Sequence, residues 1–585
     1  MSDYPYVGLK PFRQRDANIF FGREEQIAQI LDKLTQTRFV AVFGPSGFGK
    51  SSLVMAGVLP SLEAGFVRAP AGSNWLIAIM RPGSQPFVRL AESLADPLLK
   101  DNPEHPYSTL PKQEALFKIQ ATLRNGPLGI VDLLNEAPLT ERTSLLVLVD
   151  QFEEIFRYKQ EGGDRESAAF VALLIESARQ AEYPVYIIIT MRSDFLGHCT
   201  AFLRLPEAIN EGQFLIPRLS HGQFQRAIEE PVTLPQFDGL IKPPLANRIM
   251  NDAGTHTDQL PLTQHVLMRL WMSRRSNTIT VEDYEQMGGF STILSRHADQ
   301  ALEGLTEEQQ YKAQLLFRCL CDRGPDLADV RHPMAFGKIR EVLNVSRDEL
   351  LEIMSPFRTF ERSFITPPEH VEITDETVID ITHEALIRQW ASLRKWVETE
   401  ANSGAFYTRL KDTALRWKQG KASLWRGTDL DLALKWKQEA NPNPAWAERY
   451  GGEFNTAMEF LDNSHAEAQE EERRKREAKE KEAKAEKNRF LLKAAVIALC
   501  FVLAFAGWAV VSWIRADKAE QKISVQLFES HLTHASRLAK GEDFQRAKQI
   551  MNQTRSLDPS VEPNRCHTRN LLDWFTHLLL NKVSL

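Results

Sequence analysis

Apolar and polar positions follow two different periods over the first 220 residues of the chain. Short runs rich in β-branched residues are separated by longer stretches in which apolar side chains recur at helical spacing. Strand runs that alternate with helical stretches are typical of a parallel sheet covered by helices. The pattern therefore predicts an α/β domain over residues 1–220, with strand runs at 38–44, 75–83, 144–151 and 185–193.

After residue 220 the pattern becomes mainly helical. Residues 221–300 predict a helical domain, and residues 401–464 predict another. Between them, in 301–400, helices are followed by two short strand patterns around "SFITPP" and "ETVIDIT". Helices followed by a small hairpin are typical of a winged helix, so the sequence predicts a winged-helix domain over 301–400.

Residues 465–489 consist almost entirely of Glu, Lys, Arg and Ala. Oppositely charged side chains lie four residues apart in the favourable order, as in Glu471 and Lys475 or Glu472 and Arg476. Only alanines are available to line a helix–helix seam, which argues against a strong coiled coil. The segment therefore predicts a solvated helical stalk.

Residues 490–514 form a long apolar run, and 494–514 contains 21 residues without a charge. This length is sufficient to cross a hydrocarbon layer of about 30 Å, so the run predicts a single transmembrane helix. Lys and Arg are denser before the run than after it, which predicts a single-pass protein of the cell membrane with the residues before the run in the cytoplasm. Residues 515–585 predict a short helical tail on the far side.

Overall composition removes some classes of function. Hydrophobic content of 43% and charged content of 25% are those of an ordinary folded protein. The net charge of −6 provides no global basic field, so direct nucleic-acid binding is not expected. The five cysteines include no CxxC pair, so the sequence implies neither a zinc knuckle nor a disulfide framework.

The stretch "GPSGFGKSS" fits the phosphate-loop pattern G-x4-G-K-[ST], between a strand run and a helical pattern. Backbone N–H groups in such a loop and at the following helix N-terminus bind phosphate oxygens. We expect Lys50 to reach the β- and γ-phosphates and the Ser51 hydroxyl to ligate Mg²⁺. The predicted ATP- or ADP-binding residues are Gly44, Pro45, Ser46, Gly47, Phe48, Gly49, Lys50, Ser51 and Ser52.

Two further strand runs end in charged residues. Asp150 ends the third run and is predicted to face Mg²⁺, and either Glu153 or Glu154 can act on the attacking water. Arg192 follows the fourth run, where parallel α/β sheets bind ligands. Arg192 is expected to contact the γ-phosphate, although a surface pair with Asp194 is an alternative.

His383, in "DITHEALIRQW", follows a strand run and precedes a helical pattern. Half of a zinc site, a packed core histidine and a nucleotide sensor are three hypotheses for this residue. The zinc hypothesis fails because the stretch lacks the second histidine of HExxH. The other two remain open, and Glu384 can also be a helix-start charge.

As an ordered set, these motifs resemble the first subfamily of the novel STAND NTPases. The resemblance covers about residues 4–464 and includes "YVGLKPFRQRDANIFFGREEQI", "LVDQFEEIF", "ITMRSDFLG", "LPLTQHVLMRLW" and "DITHEALIRQWASLRKWV". The organisation is also similar to that of NACHT and apoptotic-switch ATPases. The tail near "RCHTRNLLDWF" resembles the segment before the β-propeller repeats of relatives, and we expect those repeats to be missing here.

The resemblance implies a nucleotide site shared by an ATPase core, a helical lid (221–300) and a winged helix. It places Phe21, Gly22 and Arg23 beside adenine and Pro217 at the start of the lid. It also implies that His383 contacts the β-phosphate of ADP in the resting state.

The resulting hypothesis is a membrane-anchored switch that is closed with ADP, forms a homo-oligomer with ATP and resets by slow hydrolysis. The trigger and the effector protein are unidentified, and a role in stress or anti-phage defence follows from analogy alone. Two alternatives are a constitutive AAA-like ATPase motor at the membrane and a scaffold that binds nucleotide only for structure.

Overall fold

The four predicted strand runs form β1–β4 of a five-stranded parallel sheet, in the order β2-β3-β4-β1-β5. The computed structural model describes residues 3–66, 74–100, 105–136, 139, 143–160, 162–254, 256, 258–323 and 329–515. The elements of the sheet domain are a 3-10 helix Gln14–Ile19, α1 Glu24–Gln36, β1 Phe39–Gly44, α2 Lys50–Ser52, a π-helical segment Leu53–Val58, α3 Leu59–Glu63, β2 Asn74–Met80, α4 Pro86–Lys100, α5 Lys112–Leu123, α6 Gly129–Glu136, β3 Thr143–Val149, α7 Glu154–Gln160, α8 Asp164–Arg179, β4 Val185–Arg192, a 3-10 helix Ser193–Ala201, α9 Leu205–Gly212 and β5 Gln213–Leu215.

The central strands are apolar on both faces because helices cover both sides of the sheet. Alternate residues of β3 enter two separate apolar clusters, with Leu145 and Val147 in one and Leu146 and Leu148 in the other. Since β4 lies between β1 and β3, the segments that follow these three strands meet at one edge of the sheet. This topology confirms the predicted α/β core and brings its charged strand ends together.

The lid and the winged helix share a single apolar core, which extends from Phe224 in α10 to Val397 in α19. The lid contains α10 His221–Glu229, a 3-10 helix Pro231–Thr233, β6 Leu240–Ile241, α11 Pro243–Ala253, α12 Gln259–Ser273, β7 Thr278–Ile279, α13 Val281–Gln286 and α14 Ile293–Glu303. The winged helix contains α15 Glu307–Cys319, β8 Cys321–Arg323, β9 Asp329–Arg331, β10 Met334–Ala335, α16 Phe336–Leu343, α17 Arg347–Arg358, β11 Ile365–Thr366, β12 Val378–Ile381 and α18 Glu384–Gln389.

The strands predicted around "SFITPP" and "ETVIDIT" are β11 and β12, which pair antiparallel. β10 pairs with the other edge of β12 and completes a three-stranded wing. The remaining helices are α19 Ala391–Lys418, α20 Thr428–Ala440, α21 Pro444–Glu448 and α22 Phe454–Arg515. Residues Met1–Glu467 form one compact unit, so the domain borders at 220, 300 and 400 stay predictions.

Residues 468–585 form the second unit, of which α22 describes the part up to Arg515. The predicted charged stalk lies within this helix, where Glu471 pairs with Lys475 (2.7 Å) and Glu472 with Arg476 (2.6 Å). Among the described residues, no helix combines the length and the hydropathy needed to cross a membrane. The predicted span 490–514 is therefore not confirmed, and its side chains at 505, 506 and 508–514 lie outside the described residues, as does the tail beyond Arg515.

Candidate functional site

The phosphate-binding loop connects β1 to α2. Gly47 (φ +80°) and Gly49 (φ +81°) adopt the left-handed conformation that favours glycine. The Lys50 Nζ donates to the carbonyl oxygens of Gly44 and Pro45, at 2.9 Å each. A glycine-rich turn that opens a helix beside a buried ammonium fits a polyphosphate chain.

Ser51 and Asp150 lie in direct contact at the sheet edge. The Ser51 hydroxyl donates to Asp150 Oδ1 at 2.5 Å, and the Thr190 hydroxyl donates to the same oxygen at 2.7 Å. The other carboxylate oxygen of the fully buried Asp150 pairs with Arg81 Nε at 3.1 Å. Adjacent hydroxyl and carboxylate oxygens are ligands that Mg²⁺ accepts together with phosphates, so Ser51 and Asp150 fit the predicted metal role. Bound Mg²⁺ would neutralise phosphate charge.

The two glutamates after β3 lie in different surroundings. Glu153 lines the cavity at the phosphate loop, and its buried Oε2 has no hydrogen-bond partner among the described residues. Burial raises the pKa of Glu153 to about 7, although Lys50 opposes the shift. The Oε2 atom of Glu154 instead accepts the Gly83 N–H at 2.9 Å. Glu153 is thus the carboxyl that is placed to act on water.

Arg192 ends β4 between the phosphate loop and Asp150. Its guanidinium lines the cavity and also pairs with both carboxylate oxygens of Asp194, at 3.1 and 2.6 Å. Both features expected from the sequence, the cavity position and the surface pair, are present in this residue. A γ-phosphate can compete with Asp194 for the same planar fork.

Arg23, in the segment that resembles the adenine side of the site, contacts both the start of the lid and the phosphate loop. Its buried guanidinium donates to the carbonyl oxygens of Pro217 (2.8 Å) and Phe48 (3.2 Å). Burial lowers the pKa of Arg23 to about 10. The neighbouring Gly22 has φ +86°, and a Cβ there would lie 2.3 Å from the Gln223 carbonyl oxygen of the lid. Glycine therefore permits the close approach of core and lid.

His383 caps the N-terminus of α18 and lines the cavity from the winged-helix side. Its Nδ1 accepts the Ala385 N–H at 3.0 Å. Burial lowers the pKa of His383, so the ring is neutral near pH 7 and carries its proton on Nε2. An Nε2–H donor at this position suits a phosphate oxygen.

Glu384 and Arg331 attach the winged helix to the phosphate loop. Glu384 accepts from the Ser46 hydroxyl (3.4 Å) and from Arg331 Nε (2.9 Å). Arg331 also donates to the Gln151 side chain, one residue beyond Asp150, at 3.2 Å. Although burial opposes it, the Arg331 guanidinium holds the pKa of Glu384 well below its usual range. Arg331 and Arg81 lie in no recognised motif, so the sequence alone does not indicate that they belong to the site.

One cavity joins most of the predicted site. The predicted residues that line it are Phe21, Arg23, Ser46, Gly47, Gly49, Lys50, Ser51, Ser52, Glu153, Arg192 and His383. The lid and Leu219, which precedes it, add apolar side chains for which the sequence indicated no site role; those of the lid are Phe224, Ala227, Ile228, Leu260 and Pro261. The predicted residues Gly22, Gly44, Pro45, Phe48, Asp150, Glu154 and Pro217 are absent from the described lining and lie behind or beside it.

The sequence signature of one family, Novel STAND NTPase 1, matches residues 5–423. The chain belongs to the novel STAND NTPase 1 family. Membership supports nucleotide binding and nucleotide hydrolysis in general for this novel STAND NTPase. A search of curated proteins finds no match.

Three solved structures are similar to this novel STAND NTPase. Cdc6p from Pyrobaculum aerophilum is 14% identical, with 65% of this chain and 94% of that chain covered at a TM-score of 0.29. A Walker-type ATPase of Pyrococcus abyssi is 14% identical, covering 66% and 99% with a TM-score of 0.32. The ORC1 protein of Aeropyrum pernix, in complex with DNA, is 14% identical, covering 66% and 97% with a TM-score of 0.34.

Proposed function

We propose that this novel STAND NTPase is a switch controlled by ATP and ADP. The observation that carries the proposal is the position of two winged-helix residues: Glu384 contacts the phosphate loop, and His383 lines the cavity beside it. A constitutive ATPase needs the core residues, but it has no evident need for winged-helix side chains against Ser46. A phosphate that contacts both the core and the winged helix can instead link the nucleotide state to the arrangement of these two domains.

In the proposed reaction the core residues divide the chemistry. Lys50 binds the β- and γ-phosphates, and Ser51 and Asp150 hold Mg²⁺. Glu153 accepts a proton from the attacking water, because its pKa near 7 leaves the base form populated at neutral pH. Arg192 exchanges Asp194 for the γ-phosphate and stabilises the charge of the transition state.

In the proposed cycle, ADP holds the protein closed through a hydrogen bond from His383 Nε2–H to the β-phosphate. ATP favours an arrangement in which the winged helix leaves the phosphate loop and the protein forms a homo-oligomer. ATP can drive this change only by making different contacts in the two arrangements. Slow hydrolysis then restores the closed state.

We also propose that the apolar run 490–514 anchors the protein in the cell membrane, with the NTPase on the cytoplasmic side. The support is the uncharged stretch 494–514 and the basic residues that precede it. Retention of the full chain in the membrane fraction after carbonate extraction tests the anchor, and release into the supernatant would contradict it. A defence role, in which the oligomer disturbs the membrane through this run, rests on family analogy. If the run can be replaced with an unrelated span without loss of signalling, that role is contradicted.

Nucleotide release from freshly purified, detergent-solubilised protein tests the switch. We expect close to one ADP per wild-type chain after denaturation and a large loss of ADP from His383→Ala. His221→Ala, at an exposed histidine of the lid, serves as the matched control. A wild-type site without nucleotide and with brisk ATP turnover would contradict the switch and support the motor.

A further inference from the structure

A second cavity, of about 1170 Å³, lies between the N-terminal segment 3–16 and the wing of the winged helix. Its volume lies slightly above the range of about 300–1,000 Å³ that is typical of small-molecule sites. Basic side chains from three separate segments line the end near the sheet: Lys10, Arg13, Arg15, Arg81 and Arg331.

The positive charges at this end of the cavity repel one another. Burial, followed by the like charges of Arg15 and Arg13, lowers the pKa of Lys10 to about 8. Within the described residues, the side chains of Lys10 and Arg13 form no ion pair. The nearby carboxylate, Asp16, is buried and accepts the backbone N–H of Arg13 at 2.9 Å. Arg15 lies 3.8 Å from Asp16, Arg81 pairs with Asp150, and Arg331 pairs with Asp380 and Glu384. In the described part of the chain, the charges left without an ion pair at this end are therefore those of Lys10 and Arg13, and two neighbouring cations of this kind attract an anion.

Aromatic rings lie next to these cations. Tyr4 stacks on Phe360 with ring centroids 4.3 Å apart, and the Lys10 Nζ lies 4.4 Å from the Phe360 centroid. The far end differs, since Glu369 lies near Arg358 and the Arg358 guanidinium bonds backbone oxygens of the wing. Beside these two contacts, Phe360 keeps 40% of its surface exposed, so an anionic group attached to a planar ring fits the sheet end of the cavity.

Three cations form part of the wall between this cavity and the nucleotide cavity. Lys10, Arg81 and Arg331 line both. Arg81 pairs with Asp150, and Arg331 pairs with Glu384, the winged-helix residue that contacts the phosphate loop. An anion that draws either guanidinium towards the second cavity weakens a contact that the nucleotide site uses.

We propose that this second cavity binds a nucleoside phosphate, with its phosphate at Lys10, Arg13 and Arg81 and its ring beside Phe360, and that this ligand regulates nucleotide exchange. The binding claim stands alone, whereas the regulatory claim rests on the proposed switch.

Calorimetric titration of the full, detergent-solubilised chain tests the binding claim. The chain is titrated with the ADP that it retains in the nucleotide cavity and without free ADP, which would compete for the second cavity, and the probes are UMP, uridine and inorganic pyrophosphate. We expect binding of UMP, weaker binding of pyrophosphate and no binding of uridine. The double variant Arg13→Gln/Arg15→Gln, whose residues line only the second cavity, should bind UMP at least about tenfold more weakly.

Arg89→Gln/Lys435→Gln, which removes two exposed charges elsewhere, should bind UMP as the wild type does. Unchanged ADP content and unchanged melting temperature show that each variant is folded. The assignment is overturned if neither UMP nor pyrophosphate binds, if the double variant binds UMP normally, or if pyrophosphate binds as tightly as UMP.

The rate of ADP release tests regulation separately. UMP should change the rate in the wild type but not in Arg13→Gln/Arg15→Gln. An unchanged wild-type rate despite UMP binding would overturn the regulatory claim alone. Wild-type protein that never retains ADP would contradict the proposed switch, and the calorimetric result for the second cavity would still stand.

Discussion

The two walls of the nucleotide cavity are held in place by different forces. On the core side, Lys50, Asp150 and Arg192 follow neighbouring strands of one buried sheet, whose hydrogen bonds and apolar contacts fix their spacing. On the winged-helix side, Glu384 and Arg331 reach the core through a few polar contacts. The comparison suggests that the reactive groups are mounted on the rigid wall and the controlling groups on the separable one.

The winged-helix wall combines low net strength with high sensitivity. Burying an ion pair removes both charges from water, so the pair contributes little net stability. Removing one partner leaves the other buried and uncompensated, which costs far more. Such contacts suit the proposed switch, in which the interface opens in response to a ligand without separating spontaneously.

The largest expected effect is on the rigid wall. Glu153→Gln should lower ATP hydrolysis by about 10²- to 10⁴-fold, because it removes the proposed general base. ATP binding should be retained, and phosphate release together with equilibrium dialysis measures the two quantities. Glu154→Gln is the control and should have a much smaller effect, since Glu154 contacts Gly83. Equal losses in both variants would contradict the assignment.

The pH dependence provides a second test of Glu153. Its pKa is raised from 4.5 to about 7, so hydrolysis should rise with pH through about 7. Between these values the folded protein keeps a proton that the unfolded chain has lost, and the contribution of Glu153 to stability therefore falls as pH rises. Both dependences should be absent from Glu153→Gln, as measured by initial rates and denaturant unfolding.

The next effect addresses the separable wall. Arg331→Met should destabilise the protein by about 3–5 kcal/mol, because Glu384 and Asp380 lose their buried cation. ADP should also dissociate faster. Urea unfolding and the release of labelled ADP measure these effects. Glu384→Gln in the Arg331→Met background should recover part of the stability, and strictly additive losses would show that the pair is not coupled.

A smaller effect is expected where the core meets the lid. Gly22→Ala introduces a Cβ 2.3 Å from a lid carbonyl at a positive φ, and should cost about 1–3 kcal/mol in stability. Gly126→Ala is the matched control, since a Cβ there has no neighbour within 4 Å among the described residues. Thermal unfolding compares them, and equal melting temperatures would refute the close approach.

The smallest effect concerns the hydrogen bond between Ser46 of the phosphate loop and Glu384. Ser46→Ala removes a 3.4 Å hydrogen bond and should speed ADP release by less than about tenfold. Ser61→Ala, which removes a hydroxyl bonded within its own helical segment, is the control. A change of several hundredfold would mean that Ser46 itself holds the phosphate.

The site residues on the core wall could be predicted from the sequence because they follow local rules. A glycine-rich turn after a strand, and charged residues at strand ends, can be recognised without knowing the fold. The choice between Glu153 and Glu154 could not be made, since both follow the same strand within four residues of Asp150. Only the turn after β3 places one glutamate in the cavity and the other on Gly83.

The site residues on the winged-helix wall could be predicted only in part. His383 was found through a resemblance, whereas Arg331 and Arg81 carry no motif. Their partners lie far away in sequence, with 180 residues between Arg331 and Gln151 and 69 between Arg81 and Asp150. Such pairings depend on how domains pack, which periodicity and spacing do not encode.

The apolar core shared by the lid and the winged helix has a kinetic consequence. Separating the two would expose much of that core to water, so in the proposed switch we expect them to rotate as one rigid arm. The arm carries Phe224 and Leu260 on the base side and His383 on the phosphate side. Base and phosphates would then lose their contacts in the same stroke, and nucleotide escape should follow a single exponential without a half-released intermediate.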